Sequence, residues 1–132
     1  MKRELKQKLK KLEVSILYLF GSRAAGRGSG LSDVDIGVVL RDPPLERDSR
    51  DRYHALYTLF SEIFPASRLD IVFLQTAPLS LQYVAIKEGK ILYEEDPKAR
   101  ADYEHLVINQ YIDFRPILDF FDRVTMERYA KA

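Results

Sequence analysis

The sequence predicts an α+β (α/β) domain in which helices flank a small mixed β-sheet. Segments with apolar residues at helical spacing alternate with short β-branched runs, in the order α-β-β-α-β-α-β-α. The 132 residues, of which 46% are hydrophobic and 31% charged, suit one packed domain. No internal repeat interrupts the pattern. We therefore expect a single domain over residues 1–132, with a core at about 14–75 and a helical region at about 97–130.

The composition excludes several classes of function. A net charge of +1 gives no strong basic field, so direct nucleic-acid binding is not expected. The absence of cysteine excludes disulfides, thiolate zinc sites and a cysteine nucleophile. No apolar run reaches the ~20 residues of a membrane span, and the charged N-terminus does not resemble a signal peptide. We expect a cytoplasmic protein without membrane contact.

Each element has a local signal in the sequence. Leu5, Leu9 and Leu12 are spaced as on one face of a helix, and Pro65 ends a second helical stripe. Asp96 is a favourable N-cap before the last helix. The predicted helices span 2–13, 47–64, 78–88 and a segment from residue 97; the predicted strands span 14–20, 33–40, 69–74 and the edge strand 90–94. Pro116 is expected to kink or split the last helix.

Two aspartates stand inside an otherwise apolar strand. Asp33 and Asp35 are two residues apart, so they point to the same face, while Val34 and Ile36 point to the core. Adjacent carboxylates repel each other unless a cation lies between them. Carboxylate oxygens suit Mg²⁺, which usually takes one or two of them together with substrate phosphates. The alternative is a pair that only faces solvent at the start of a strand.

The loop before the aspartates favours the metal interpretation. Gly21 and Ser22 follow an apolar strand directly, so backbone N–H groups and a hydroxyl can turn towards a phosphate. Arg23 and Arg27 add positive charge, and Ser32 can stabilise the turn that precedes Asp33. Residues 21–28 match neither a Walker A loop, since Arg27 replaces the lysine, nor the dinucleotide-binding glycine pattern. A phosphate cradle beside a magnesium clamp predicts nucleoside triphosphate chemistry.

Asp70 is a third candidate carboxylate. It interrupts the apolar segment RLDIVFL, where burial of a lone charge would be costly. If its strand pairs beside residues 33–40, Asp70 can face Asp33 and Asp35. Three carboxylates on one sheet face can hold two metal ions, or hold one and supply a base. The alternative is an aspartate at a strand end that pairs with an arginine such as Arg68.

Together these motifs resemble the DNA polymerase β-type nucleotidyltransferase superfamily. Its signature is a Gly-Ser pair, a glycine-containing loop, an Asp-x-Asp pair and a later aspartate, here Gly21-Ser22, Asp33-x-Asp35 and Asp70. The signature covers roughly residues 14–75. The length and the segment ILYEEDPKARADYEHLVINQYIDFRP further resemble the minimal nucleotidyltransferase (MNT) proteins, notably the MntA-type antitoxins. One departure is Ala25, since this loop often has arginine just before its second glycine.

The resemblance implies a polymerase β-like fold and transfer of AMP from ATP to a hydroxyl. It implies that Gly21, Ser22, Arg23 and Ser32 bind nucleotide, and that Asp33, Asp35 and Asp70 are catalytic and bind Mg²⁺. Which arginine contacts the phosphates stays open between Arg23 and Arg27. It implies as acceptor a tyrosine of a HEPN-domain RNase toxin, with the chain acting as antitoxin of a type VII toxin–antitoxin pair.

Two other functions stay open on the residues alone. One is nucleotidyl transfer to a small molecule of the aminoglycoside kind, and the other is an antitoxin that acts by binding alone. Residues 103–124 are rich in aromatic and aliphatic side chains, among them Tyr103, Tyr111, Phe114, Phe120 and Phe121. They suit either packing on the sheet or docking of a partner, because aromatic residues are favoured interface anchors.

Overall fold

A computed structural model describes residues 2–21, 34–42, 46–65 and 68–131. The helices are α1 (Arg3–Lys11), α2 (Glu46–Ile63), α3 (Leu79–Glu88) and α4 (Pro97–Lys131); the strands are β1 (Val14–Phe20), β2 (Val34–Leu40), β3 (Leu69–Phe73) and β4 (Lys90–Glu94), and a 3-10 turn covers Leu74–Thr76. This order confirms the predicted mixed architecture. None of the described helices has the length and hydropathy of a membrane span.

The four strands form one mixed sheet in the order β3-β2-β1-β4. β1 is antiparallel to β2 and β4, whereas β2 and β3 run parallel. The end of β1 and the beginnings of β2 and β3 therefore lie at the same edge of the sheet. Phe20 is opposite Asp35 in β2, and Asp35 is opposite Asp70 in β3.

Side-chain alternation divides the core between the two faces of the sheet. Val34, Ile36 and Val38 of β2 are fully buried in the cluster that includes Leu9 of α1 and Leu56 of α2. The other face carries a smaller cluster that consists of Ile16, Tyr18, Phe20, Val39, Leu74 and Ala85. Burial of each large apolar side chain stabilises the folded state by about 1.5–3 kcal/mol. Because Asp35 alternates with Val34 and Ile36, it lies on the face covered by α3 and α4.

A polar network fixes the first turns of α4 to the sheet. The Tyr18 hydroxyl donates to Glu104 Oε1 at 2.8 Å, and Arg100 bonds to Glu94 and, at 3.3 Å, to Glu104. Burial first, and the hydrogen bond to Glu104 second, raise the pKa of Tyr18 well above its ordinary value. The helix begins as predicted, since the backbone N–H of Lys98 donates to Asp96 Oδ1 at 3.0 Å.

α4 continues through Pro116 as one helix, so of the two expected outcomes, a kink or a split, the split does not occur. Proline removes one backbone hydrogen bond from the ladder, and its ring crowds the carbonyl four residues earlier. Pro116 and Ile112, whose carbonyl loses its partner, are both exposed, so water can take the place of that partner. The helical sequence on both sides is sufficient to keep the segment continuous.

On the side of β3, the end of β2 is held by a side chain rather than by a strand. The Gln75 amide accepts from the backbone N–H of Leu40 at 2.9 Å and donates to the Leu40 carbonyl at 2.8 Å. This pair of bonds continues the β2–β3 ladder past the end of β3. It satisfies two backbone groups that would otherwise lack partners in a partly buried position.

Candidate active site

Gly21 directly follows β1 in a conformation that suits glycine. Its φ is +79°, in the left-handed region that side chains disfavour. A Cβ at this position would overlap Asp35 Oδ2 and stand 3.2 Å from Asp35 Cγ. The missing side chain therefore lets the Asp35 carboxylate lie directly against the backbone at the start of the predicted phosphate loop.

Asp35 and Asp70 lie side by side on one face of the sheet. They are register partners in the parallel β2–β3 pair, and neighbouring strands are ~4.8 Å apart. The Asp35 side chain is half-buried and the Asp70 side chain is exposed. Two carboxylates at this spacing can bind the same cation, with Asp70 on the more solvent-exposed side of it.

The backbone fixes this register at the edge where the site lies. The N–H of Val34 donates to the carbonyl of Arg68 at 2.7 Å. This bond forms at the first step of the parallel pair, one residue before Asp35. Slippage of β3 by one residue would turn Asp70 to the opposite face. The Val34–Arg68 bond therefore supports the juxtaposition of the two carboxylates.

The structure brings together three of the predicted site residues. Gly21, Asp35 and Asp70 lie at one edge of the sheet. Ser22, Arg23, Arg27, Ser32 and Asp33 lie outside the described residues, so their roles remain predictions. The burial argument for Asp70 is wrong, because β3 presents this side chain to solvent at the sheet edge. Its position beside Asp35 is the stronger argument for a role.

The donors present fit Mg²⁺, the metal that the sequence predicts. Asp35 and Asp70 supply hard carboxylate oxygens, and the missing side chain of Gly21 leaves room for the Asp35 carboxylate itself. Within the described ranges no three acidic, histidine or cysteine side chains group as a metal site. The predicted set of three requires Asp33, which lies just before the described part of β2.

Gly37 contributes to the packing behind the site, and the sequence analysis did not identify it. It lies two residues after Asp35 on the same face, and an added Cβ would stand 2.8 Å from Leu74 Cδ1. The fully buried Leu74 therefore packs directly on the β2 backbone behind Asp35. A glycine in the interior of a strand is the available signal, since it often marks a close approach of this kind.

Comparison with known proteins decides the family. The sequence model of the family described as "Polymerase beta, Nucleotidyltransferase" matches residues 3–98, which include Gly21, Asp35 and Asp70. The chain belongs to this family. The match confirms the resemblance inferred from the motifs and establishes the chain as a nucleotidyltransferase-family protein. A sequence search of curated proteins gives no match.

Solved structures share the fold of this nucleotidyltransferase at low sequence identity. A chain of a toxin–antitoxin complex with AMP-PNP is 22% identical and has a TM-score of 0.70, over 92% of this chain and 96% of that one. A chain of a complex between an MNT antitoxin and the tri-AMPylated HEPN toxin of Shewanella oneidensis is 23% identical, with a TM-score of 0.63 over 95% and 99%. Another chain from Shewanella oneidensis is 17% identical, with a TM-score of 0.64 over 98% and 99%. At these identities the likeness establishes the fold.

Proposed function

We propose that this nucleotidyltransferase transfers AMP from ATP to a tyrosine hydroxyl of a HEPN-domain RNase toxin and so acts as its antitoxin. The observation that carries the proposal is the pair Asp35 and Asp70, side by side at the sheet edge next to Gly21, the first residue of the predicted phosphate loop. The fold neighbours support the choice of reaction and partner, since they include complexes with AMP-PNP and with an AMPylated HEPN toxin.

Different residues act on the nucleotide and on the acceptor hydroxyl. Gly21 and Ser22 bind the triphosphate, and Asp33 and Asp35 would hold Mg²⁺ on it, with Asp70 as ligand of a second ion or as base. Bound Mg²⁺ neutralises phosphate charge and favours ionisation of the attacking hydroxyl. The half-buried Asp35 suits the nucleotide side of the site, and the exposed Asp70 suits the acceptor side.

The proposed step is an in-line displacement at the α-phosphorus. The acceptor oxygen forms a bond to phosphorus while the bond to the bridging oxygen breaks, and pyrophosphate leaves. As a base, Asp70 would take the acceptor's proton. The chain contributes mainly position and electrostatics, because the transferring group needs little covalent assistance.

The exposure of Asp70 favours a macromolecular acceptor. Asp70 is exposed, and the helices and strands described form one domain, with no separate acceptor-binding domain among them. A small hydroxylated substrate requires a pocket that encloses it. A protein acceptor brings its own surface and needs only an open edge on which to place its hydroxyl.

Incubation with α-labelled ATP and Mg²⁺ tests the proposal. One reaction contains a co-expressed HEPN-domain toxin, and a second contains a mixture of aminoglycosides. Label on the toxin, lost when its acceptor tyrosine is replaced by phenylalanine, supports the proposal. Efficient labelling of an aminoglycoside with none on the toxin assigns the small-molecule function instead. Toxin inhibition without any label assigns an antitoxin that acts by binding alone.

A further inference from the structure

We infer that the outer part of α4, from Phe114 onwards, docks in a groove between two helices of the partner protein that supplies the acceptor hydroxyl. The inference deepens the proposed function and rests on it. It concerns the free apolar face of α4, defined by Phe114, Ile117, Phe120 and Phe121. The partner is identified by its chemistry, an apolar groove on a helical protein.

The two parts of α4 have different surroundings. In the inner part Val107 is buried, the Tyr103 hydroxyl donates to Gln82 Oε1 at 2.8 Å, and Tyr111 stacks on Tyr83 with 3.9 Å between ring centroids. In the outer part the four residues of the free apolar face are between 50% and 61% exposed. The packing expected from sequence thus describes the inner part, and the outer part is left for docking.

The free apolar face continues the side of α4 that packs on the domain. At ~100° per residue, Phe114 and Phe121 project on the same side of the helix as Tyr103 and Val107. Ile117 and Phe120 widen the apolar arc to about 120°. The opposite side is mainly polar and carries Arg115, Asp119, Asp122 and Arg123, with 4.0 Å between Arg115 Nε and Asp119 Oδ2. Its exposed apolar residues are Ile112 and Met126, which do not form a continuous stripe.

The width of this arc indicates what kind of surface covers it. A seam between two helices needs only a narrow stripe, whereas a helix that enters a globular core shows an apolar face of at least ~100°. One helix from a second copy would leave part of the arc in water. A groove between two helices of a partner covers the whole arc, as in other complexes where an amphipathic helix enters a groove.

The area of the free apolar face supports a composite interface. Half-exposed Phe and Ile side chains offer about 100 Å² each, so the four offer about 400 Å². A standard interface buries about 800 Å² on each partner, so this face supplies about half. Tyr18 and Glu104 join α4 to the sheet face that also carries Asp35 and Asp70. A partner seated on α4 therefore lies on the same side of the sheet as the site.

Affinity measurements with single-residue variants test this docking surface. The probe is a co-expressed HEPN-domain toxin, purified and titrated into each variant of this chain by calorimetry. Phe114→Ala and Phe121→Ala are each expected to weaken binding about tenfold or more, as anchors of an interface do. Ile112→Ala is the matched control, since Ile112 is 59% exposed on the polar side of the same helix, and binding should change less than about twofold. A photo-crosslinker at position 121 should react with residues of two different toxin helices.

The outcomes separate this inference from the proposed function. If the variants bind as the unchanged chain does while AMP transfer to the toxin proceeds, the docking surface is wrong and the proposed function stands. If position 121 crosslinks to a second copy of the chain, and Phe121→Ala converts a dimer to a monomer in sedimentation, the inference is also overturned. If the variants lose binding but no AMP transfer occurs with any variant, the docking surface stands and the proposed chemistry fails.

Discussion

The Asp35 carboxylate occupies the space that a side chain on Gly21 would fill, with Asp35 Cγ 3.2 Å from where that Cβ would stand. The two residues are far apart in sequence, but the antiparallel pairing of Phe20 with Asp35 brings them together. The contact joins the start of the predicted phosphate loop to the predicted metal ligand. It leads to the first prediction, on Gly21.

Gly21→Ala should remove ATP binding while the protein stays folded. The left-handed conformation costs about 1–2 kcal/mol for alanine, and the new Cβ must also displace the Asp35 carboxylate. Gly21→Asn separates the two causes, because asparagine tolerates positive φ but keeps the Cβ. If displacement of Asp35 matters, both variants lose ATP affinity in calorimetry. Normal affinity in Gly21→Asn would assign the effect to backbone strain alone.

Asp70→Asn should slow AMP transfer more than it weakens ATP binding. Asp70 is the more exposed of the two paired carboxylates, which suits the acceptor side of the reaction. Loss of a positioned base typically lowers the rate by 10²–10⁴-fold, roughly. Single-turnover rates and ATP affinities give the two quantities, with Asp102→Asn on α4 as an exposed control. Equal losses in rate and affinity would make Asp70 a nucleotide ligand instead.

Gln75→Ala should destabilise the fold without touching the site. The Gln75 amide bonds to both backbone groups of Leu40, and removing it leaves a partly buried N–H and carbonyl unpaired. We expect a loss of about 1–3 kcal/mol in the free energy of unfolding, measured with urea. Gln110→Ala, at an exposed position of α4, should change it by less than about 0.5 kcal/mol. Equal losses in the free energy of unfolding for both variants would show that the bonds of Gln75 have no special role in stability.

Tyr18 should make the fold sensitive to alkaline pH. Burial and the bond to Glu104 raise its pKa in the folded protein above the ordinary value of about 10. The folded state therefore holds this proton more tightly, so the stability is full below pH about 10 and is lost as the pH rises above it. In Tyr18→Phe the free energy of unfolding should fall less steeply above pH about 10, whereas the exposed-site variant Tyr57→Phe should follow the unchanged chain. Parallel curves for all three proteins would contradict the assignment to Tyr18.

Sequence patterns were sufficient for the elements and for the face on which Asp35 lies. Successive side chains of β2 point to opposite faces of the sheet, so Asp35 lies on the face opposite to Val34 and Ile36. The sequence predicts this because the alternation is a property of the strand itself. The position of Asp70 beside Asp35 depends on which strand lies next to β2, and the sequence alone does not determine that strand order. The contacts of Gly37 with Leu74 and of Gln75 with Leu40 join distant segments, and no local pattern encodes them. The predicted split at Pro116 does not occur, since an exposed turn tolerates the loss of one backbone hydrogen bond.

Intact mass spectrometry of the toxin tests the central claim most directly. A purified HEPN-domain toxin is incubated with ATP, Mg²⁺ and either the unchanged chain, Asp35→Asn or Asp102→Asn. We predict that the toxin gains the mass of one or more AMP groups with the unchanged chain and with Asp102→Asn, and gains none with Asp35→Asn. An unaltered gain with folded Asp35→Asn would contradict the assignment of the site to the sheet edge of Gly21, Asp35 and Asp70.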